Sequence, residues 1–304
     1  MSMFDKIRDP GFGEKYNSKT KRLINTDGSF NVTRVGERYH VRDVFQWLIN
    51  LSWLYFGLLL VLFYLSINLI FALLYYVLSP NGLHGIEPSI TYFTNAFFFS
   101  LQTFSTVGYG QMHPIGMMSN AIAAVESLVG LVFYAIVTGV LYSRFSRPKA
   151  RVAFSENAII APYKDGESLQ FRLVNKRSKQ LMDIHAKAIL MLVDQQHHRQ
   201  YYRLDLEPSS IQFFPLSWTV VHPITEESPF YNKASSFYKD TIGEILIFMR
   251  GFDETFSQEV HTRTSYLLKD IVCHAKFSPM FETDHEGEIL LYLNKINDYH
   301  RVNK

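Results

Sequence analysis

Two long apolar segments dominate the first half of the chain. Residues 51–78 carry no charged side chain, and residues 117–143 carry a single one, Glu126. A helix of about 20 apolar residues crosses the ~30 Å hydrocarbon core of a bilayer. Tryptophans and tyrosines lie near both ends of the first segment, as is typical of membrane interfaces. The pattern therefore predicts two membrane-spanning helices.

Two shorter segments accompany the spans. Residues 91–103 are apolar and aromatic, but about 13 residues are too few to cross a bilayer, so they predict a re-entrant or buried helix. Thr91 and Thr94 are its candidate caps. Residues 40–49 place apolar side chains at helical spacing with polar ones opposite, which predicts a short amphipathic helix before the first span.

After residue 148 the pattern changes to short runs of alternating apolar and polar residues, separated by turn residues. Seven or more such strands in about 150 residues predict an antiparallel sandwich of immunoglobulin-like type. No G-x-G-x-x-G follows a strand, which argues against a dinucleotide-binding domain. The runs are residues 152–154, 169–174, 186–193, 201–206, 218–221, 244–249, 264–268 and 289–293.

These patterns divide the chain into three parts. Residues 1–36 are polar apart from a strand-like stretch at 30–35, and we expect a loosely held cytoplasmic segment. Residues 37–148 hold the amphipathic helix and the two-helix transmembrane domain. Residues 149–304 form the cytoplasmic β domain.

The basic residues are unevenly distributed, although the net charge is only +2. No Lys or Arg lies between Arg42 and Arg144. Because cytoplasmic segments beside spans are enriched in basic residues, we expect both termini in the cytoplasm and a multi-pass protein of the cell membrane. The first apolar segment begins near Leu48 and is too long for a signal peptide. The single cysteine, Cys273, excludes an intrachain disulfide and fits a small buried strand residue.

The pentapeptide Thr106-Val107-Gly108-Tyr109-Gly110 lies between the short helix and the second span. An ion enters a pore only if oxygen atoms replace its hydration shell, and glycines let an extended loop aim successive carbonyls at one axis. We therefore predict K⁺ ligands at Thr106, Val107, Gly108 and Tyr109, with the Tyr109 ring packed outward to brace the loop. One chain supplies one loop, so the pore requires a homotetramer. We expect K⁺ ions in the filter and no cofactor.

The chain resembles the inward-rectifier potassium channel family, particularly its prokaryotic branch. The resemblance covers roughly residues 30–285 and implies a K⁺ pore, a slide helix at the cytoplasmic interface and an immunoglobulin-like domain that extends the pore. It also implies gating at the inner helix bundle and by the cytoplasmic domain. Besides the filter, it rests on residues 171–177 (FRLVNKR), 217–224 (SWTVVHPI), 226–231 (EESPFY) and 264–267 (TSYL).

The chain also departs from that family. Tyr134 stands on the second span where strongly rectifying members carry an acid, and Asn50, Leu51 and Ser52 replace arginines of eukaryotic members. The resemblance therefore implies only weak pore block by polyamines or Mg²⁺.

Four further residues of the second span have two interpretations each. Gly130 and Gly139 are either a gating hinge or sites of close helix packing. Tyr142 corresponds to the bulky residue of the family's bundle-crossing gate, or is an ordinary interfacial tyrosine. Glu126 either has a cavity-proximal or inter-helix role near the filter, or makes a structural hydrogen bond.

Basic residues after the second span are candidate ligands of anionic lipids. Juxtamembrane cations attract such headgroups at about 1 kcal/mol per charge, although topology alone would also place basic residues here. The candidates are Arg144, Arg147, Lys149, Arg151 and, by resemblance, Arg177.

The resemblance places Asp183 and Asp270 in rings along the cytoplasmic pore, where acids would concentrate cations. The alternative is that both are solvated surface residues.

Passive K⁺ conduction is the leading function that these features predict. A membrane-tethered enzyme would need a nucleophile with its base or a metal cluster, and neither pattern is visible. A sensor with a non-conducting pore fold would require blockage outside the intact pentapeptide. Nothing indicates a nucleic-acid partner.

Overall fold

The computed structural model describes residues 5–17, 22–33, 35–36, 41–146, 150–177 and 181–302. It divides into a helical unit, Gly36–Arg147, and a β unit that combines Met1–Val35 with Pro148–Lys304. The helices are α1 Val41–Asn50, α2 Trp53–Leu78, α3 Tyr92–Phe104, α4 Gly116–Phe145 and α5 Ser235–Asp240. The strands are β1 Lys6–Ile7, β2 Leu83–His84, β3 His113–Pro114, β4 Val152–Phe154, β5 Ile159–Tyr163, β6 Gly166–Asn175, β7 Leu181–Val193, β8 Arg199–Leu204, β9 Ser210–Phe213, β10 Ser217–Pro223, β11 Gly243–Asp253, β12 Gln258–Leu267, β13 Val272–Cys273, β14 Ala275–Phe277, β15 Phe281–Thr283, β16 Ile289–Leu291 and β17 Tyr299–Arg301.

The helical unit confirms the predicted order of apolar helices, in which the short helix α3 lies between the long helices α2 and α4 along the chain. Helices α2 and α4 are long and apolar enough to cross a bilayer. Ser52 caps α2, because its hydroxyl accepts a hydrogen bond from the Tyr55 amide at 3.5 Å. Thr91 caps α3 in the same way through the Thr94 amide at 3.3 Å. Each helix begins directly after its capping residue, because the cap satisfies amides that lack a partner within the helix. Both helices therefore begin within two residues of the predicted segment starts.

The β unit is a sandwich of two mainly antiparallel sheets, as predicted. One sheet has the order β1-β8-β7-β11-β12, with β9 also paired to β7. The other has the order β10-β6-β5-β13, with β4 also paired to β6. Apolar side chains from β6 of one sheet and from β7 and β11 of the other share one buried core, including Phe171, Leu190 and Ile247. Cys273 lies on β13 and is half-buried.

The N-terminal segment departs from the sequence-based expectation. Residues 31–33 and 35 form no strand, although Phe30 makes an isolated bridge with Ile24. The segment is also held firmly in places, since Leu23 and Ile24 are buried and their amides donate to the Glu244 carboxylate at 2.8 and 3.2 Å. The sequence pattern of this segment did not predict the contact, because the partner lies 220 residues further along the chain.

His222 is a buried titratable group of the sandwich. Its Nδ1 lies 2.7 Å from the Asp205 carbonyl oxygen and its Nε2 lies 2.8 Å from the Ser228 hydroxyl. A carbonyl oxygen only accepts, so Nδ1 carries the proton and Nε2 of the neutral ring accepts from Ser228. Burial lowers the pKa of His222 below its ordinary 6.5, because it disfavours the charged ring.

We therefore predict that stability falls as the pH drops through about 6.5 and below, where the unfolded chain takes up a proton that folded His222 resists. His222→Gln should be less stable at pH 8 but should lose less stability between pH 8 and pH 5.5. Thermal unfolding of the β unit in the full-length protein, followed by circular dichroism, measures this difference. His285→Gln, at an exposed site, is the control. Equal pH dependence in all three proteins would contradict the prediction.

Candidate ion-conduction site

The predicted filter loop follows directly after the C-terminal end of α3. Gly108 and Gly110 have φ angles of 52° and 85°, in the left-handed region that glycine adopts readily. Thr106 also has a positive φ, 59°, which is strained for a β-branched residue. The amides of Val107 and Gly108 donate to the Gln102 carbonyl oxygen at 3.0 and 3.4 Å, so the backbone of α3 ties down the loop.

Tyr109 does not pack behind the loop within the chain. Its side chain is 79% exposed, so the predicted bracing contact is not made within one chain. The Gln102 backbone carbonyl oxygen braces the loop instead, through the amides of Val107 and Gly108.

Glu126 has no exposed surface and lies where α2, α3 and α4 meet. Its Oε2 accepts a hydrogen bond from the Tyr75 hydroxyl at 2.8 Å, and its Oε1 accepts one from the Ser100 hydroxyl. The Ser100 hydroxyl is also 3.0 Å from Asn68 Oδ1, and Asn68 Nδ2 donates to the Tyr64 carbonyl oxygen at 2.7 Å. This polar network joins both long helices to the short one.

The network bears on both interpretations of Glu126. Within the chain its carboxylate meets hydroxyl donors from two other helices rather than a cavity, which fits an inter-helix role as well as a structural hydrogen bond. The sequence held a signal for its partners, because an acid in an apolar helix must be paired. Asn68 and Ser100 were polar residues within apolar segments that this rule could have singled out.

The other candidates on α4 differ in their surroundings. A Cβ at Gly130 would lie 2.3 Å from the Phe104 carbonyl oxygen, so Gly130 allows α4 to approach the end of α3 closely. Close packing therefore explains Gly130. A Cβ at Gly139 would meet no atom within 4 Å. Tyr134 and Tyr142 are 41% and 71% exposed in the single chain.

Arg144 is committed to protein contacts rather than open to solvent. Its guanidinium donates to the carbonyl oxygens of Leu48, Ile49 and Leu51, the latter two at 3.0 and 2.7 Å. It also lies 4.5 and 4.4 Å from the ring centroids of Trp53 and Phe56. The last carbonyls of a helix lack intrahelical donors, so Arg144 completes the C-terminal end of α1. Its role as a lipid ligand stays a prediction, and these protein contacts already occupy its guanidinium within one chain.

The remaining basic candidates divide in a similar way. Arg177 forms an ion pair with Asp253 at 2.5 Å, and that carboxylate is 3% exposed, so Arg177 also has a protein partner. Arg151 is exposed. Arg147 and Lys149 lie outside the described residues.

Asp183 and Asp270 lie at opposite ends of one sheet. Asp183 follows Met182, and Met182 pairs with Phe252 on β11. Asp270 lies three residues after Leu267, the last residue of β12, and Leu267 pairs with Glu244 at the other end of β11. Residues 244 and 252 are about 26 Å apart at ~3.3 Å per residue. Both acids are exposed, but the fold does not bring them into one ring.

The comparisons with known proteins agree with this architecture. Residues 152–304 match the profile of the inward rectifier potassium channel C-terminal domain, and residues 59–147 match a general ion channel profile. The chain belongs to the inward-rectifier potassium channel family. This channel is 34% identical over 292 residues to the inward rectifier potassium channel Kirbac3.1 of Paramagnetospirillum magnetotacticum, which covers 94% of the chain and 98% of that relative.

The family conducts K⁺ as tetramers, has no cofactor and is not a family of enzymes. Among solved structures, the alkylpurine DNA glycosylase AlkC of Pseudomonas fluorescens bound to DNA containing an abasic site analog gives a TM-score of 0.22 at 8% identity, over 61% of this chain and 48% of that one. That likeness is too small to carry meaning.

The Glu126 network predicts a specific sensitivity. Glu126→Leu should lower the thermal stability of the tetramer, because the hydroxyls of Tyr75 and Ser100 would lose their acceptor inside the helical unit, at about 1–3 kcal/mol for each unsatisfied group. Glu126→Gln keeps one acceptor oxygen and should lose less. The measurement is the temperature at which the tetramer dissociates in detergent. Leu131→Ala, at an exposed site on the same helix, is the control, and equal loss in all variants would contradict the network's importance.

Proposed function

We propose that residues 106–110 of four chains form the selectivity filter, in which carbonyl oxygens of Thr106, Val107, Gly108 and Tyr109 and the Thr106 hydroxyl bind K⁺. The left-handed backbone at Gly108 and Gly110, directly after α3, carries this proposal. A loop that replaces a hydration shell needs such positions, and it is tolerated at membrane depth only beside a water-filled path.

Gly108→Ala should abolish K⁺ flux while the tetramer still assembles. A Cβ at this site meets no atom within 4 Å, so the defect is conformational, at about 1–2 kcal/mol for each chain's left-handed residue. Barium-sensitive K⁺ flux into liposomes measures the effect. Gly57→Ala on α2 also meets nothing within 4 Å and should conduct normally. Normal selectivity in Gly108→Ala would contradict the filter assignment, and absence of flux in the unmodified channel would favour a non-conducting sensor.

We assign the gate to the C-terminal half of α4. Four exposed Tyr142 rings could close and dewet the pore, and Gly139 has open space for bending. The β unit, as the cytoplasmic domain, would bias this gate. In this assignment both termini are cytoplasmic in the cell membrane, with residues 1–36, 37–148 and 149–304 as the N-terminal, pore and cytoplasmic parts.

We propose that this channel rectifies weakly. Polyamines and Mg²⁺ block a pore strongly when a ring of acids holds them, and Tyr134 supplies a phenol instead. Asp183 and Asp270 are exposed acids that would concentrate cations only within about 8 Å at physiological salt.

Tyr134→Asp should therefore lower the internal spermine concentration for half-block by at least about tenfold, since four added charges each contribute roughly 1 kcal/mol. Asp183→Asn should weaken the shallow block of the unmodified channel. Outward current against voltage, with and without spermine, measures both. Tyr134→Phe is the control for loss of the tyrosine. Steep block in the unmodified channel that Asp183→Asn leaves unchanged would refute these charge rings.

We propose that anionic lipids contact Arg151 together with Arg147 and Lys149. Exposure of Arg151 supports this choice, whereas Arg144 and Arg177 have protein partners. Exposed cations attract anionic headgroups at about 1 kcal/mol each.

The triple change of Arg147, Lys149 and Arg151 to Gln should shrink the difference in K⁺ flux between neutral and anionic liposomes. Arg144→Gln should instead reduce channel stability equally in both lipids, because it removes the donors to α1. The comparison of flux and tetramer stability across the two lipid compositions separates the roles. An unchanged lipid response in the triple variant would contradict this proposal.

A further inference from the structure

Two histidines face each other in the small two-stranded sheet of the helical unit. Strand β2 pairs with β3 so that His84 lies directly opposite His113. Leu83, the preceding residue, is buried in the core of the helical unit, so alternation along the strand turns His84 outward. Both histidines are exposed, and their ring centroids are 4.9 Å apart with an angle of 40° between the rings.

Backbone contacts hold the two strands on both sides of the histidine pair. The Ile115 amide donates to the Gly82 carbonyl oxygen at 2.8 Å. Gly85 has a φ of 71°, and a Cβ there would lie only 1.9 Å from the Gln111 carbonyl oxygen. The two rings are therefore presented on a preformed backbone, and side-chain rotation alone sets their relative orientation.

This spacing matches two imidazoles on one metal ion. A Zn–N bond of about 2.0–2.1 Å places each ring centroid roughly 3.2 Å from the metal. Two such rings then have centroids about 5.2 Å apart at a tetrahedral angle and about 4.5 Å apart at a right angle. The observed 4.9 Å lies between these values.

We propose that His84 and His113 form a two-histidine binding site for a first-row divalent metal ion, such as Zn²⁺ or Cu²⁺, next to the filter loop. His113 follows Gly110 by three residues, so their Cα atoms are at most about 11 Å apart. The described residues contain no group of three or more His, Cys, Asp or Glu arranged for a metal, so water supplies the remaining ligands. Imidazole suits Zn²⁺ and Cu²⁺, whereas Mg²⁺ and Ca²⁺ prefer oxygen.

Equilibrium dialysis of the intact tetramer in detergent against Zn²⁺, Cu²⁺ or Mg²⁺ tests the site without requiring conduction. Cu²⁺ should bind more tightly than Zn²⁺, and Mg²⁺ should not compete. His84→Gln and His113→Gln should each weaken this site at least about tenfold, since loss of even outer-shell partners costs that much. The double variant should lose little more, because chelation requires both rings.

His285→Gln is the matched control, because it removes an exposed histidine from a turn of the β unit. It should leave the site intact, and size-exclusion chromatography confirms that each variant is a tetramer. His113→Asn repeats the test if His113→Gln fails to assemble. Unchanged Zn²⁺ and Cu²⁺ binding in the single variants, or an equal loss in His285→Gln, overturns the proposal. If the channel conducts K⁺ but gives one of these two results, the metal-site proposal is refuted while the filter assignment stands.

Discussion

The helical unit depends on one buried carboxylate that three helices must satisfy together. An ionised or polar group without partners is expensive inside a membrane protein, so Glu126 restricts how α2, α3 and α4 can pack. Tyr75 reaches it from α2 and Ser100 from α3. Helix α3 is too short to span a bilayer, and this network gives it a defined position between the two long helices.

That arrangement also positions the predicted filter loop. The loop begins where α3 ends, and the Gln102 carbonyl oxygen holds its first amides. Gly130 allows α4 to approach the Phe104 carbonyl oxygen, which any larger residue would prevent. The strained backbone of Thr106 therefore rests on a scaffold fixed by close packing and buried hydrogen bonds, as expected of conformations that their surroundings must enforce.

Arginines that carry the same charge have different surroundings. Arg144 is held by α1 carbonyl oxygens and aromatic faces, and Arg177 is held by Asp253, while Arg151 is exposed. A planar guanidinium with several donors suits the end of a helix, where carbonyl groups lack partners. Basic residues that look alike in the sequence therefore differ in their exposure and in their protein partners.

The sequence alone determined the two long apolar helices, the short helix and a sandwich of alternating strands, because each depends on local periodicity. It also predicted the filter pentapeptide from one contiguous motif. Only the tertiary structure decided that Ser100 and Tyr75 pair with Glu126, that Arg144 completes α1, and that Leu23 and Ile24 dock on Glu244. It also placed His84 opposite His113. These contacts join residues 26 to 221 positions apart, and a buried polar group can choose its partner only once packing has brought the candidates together.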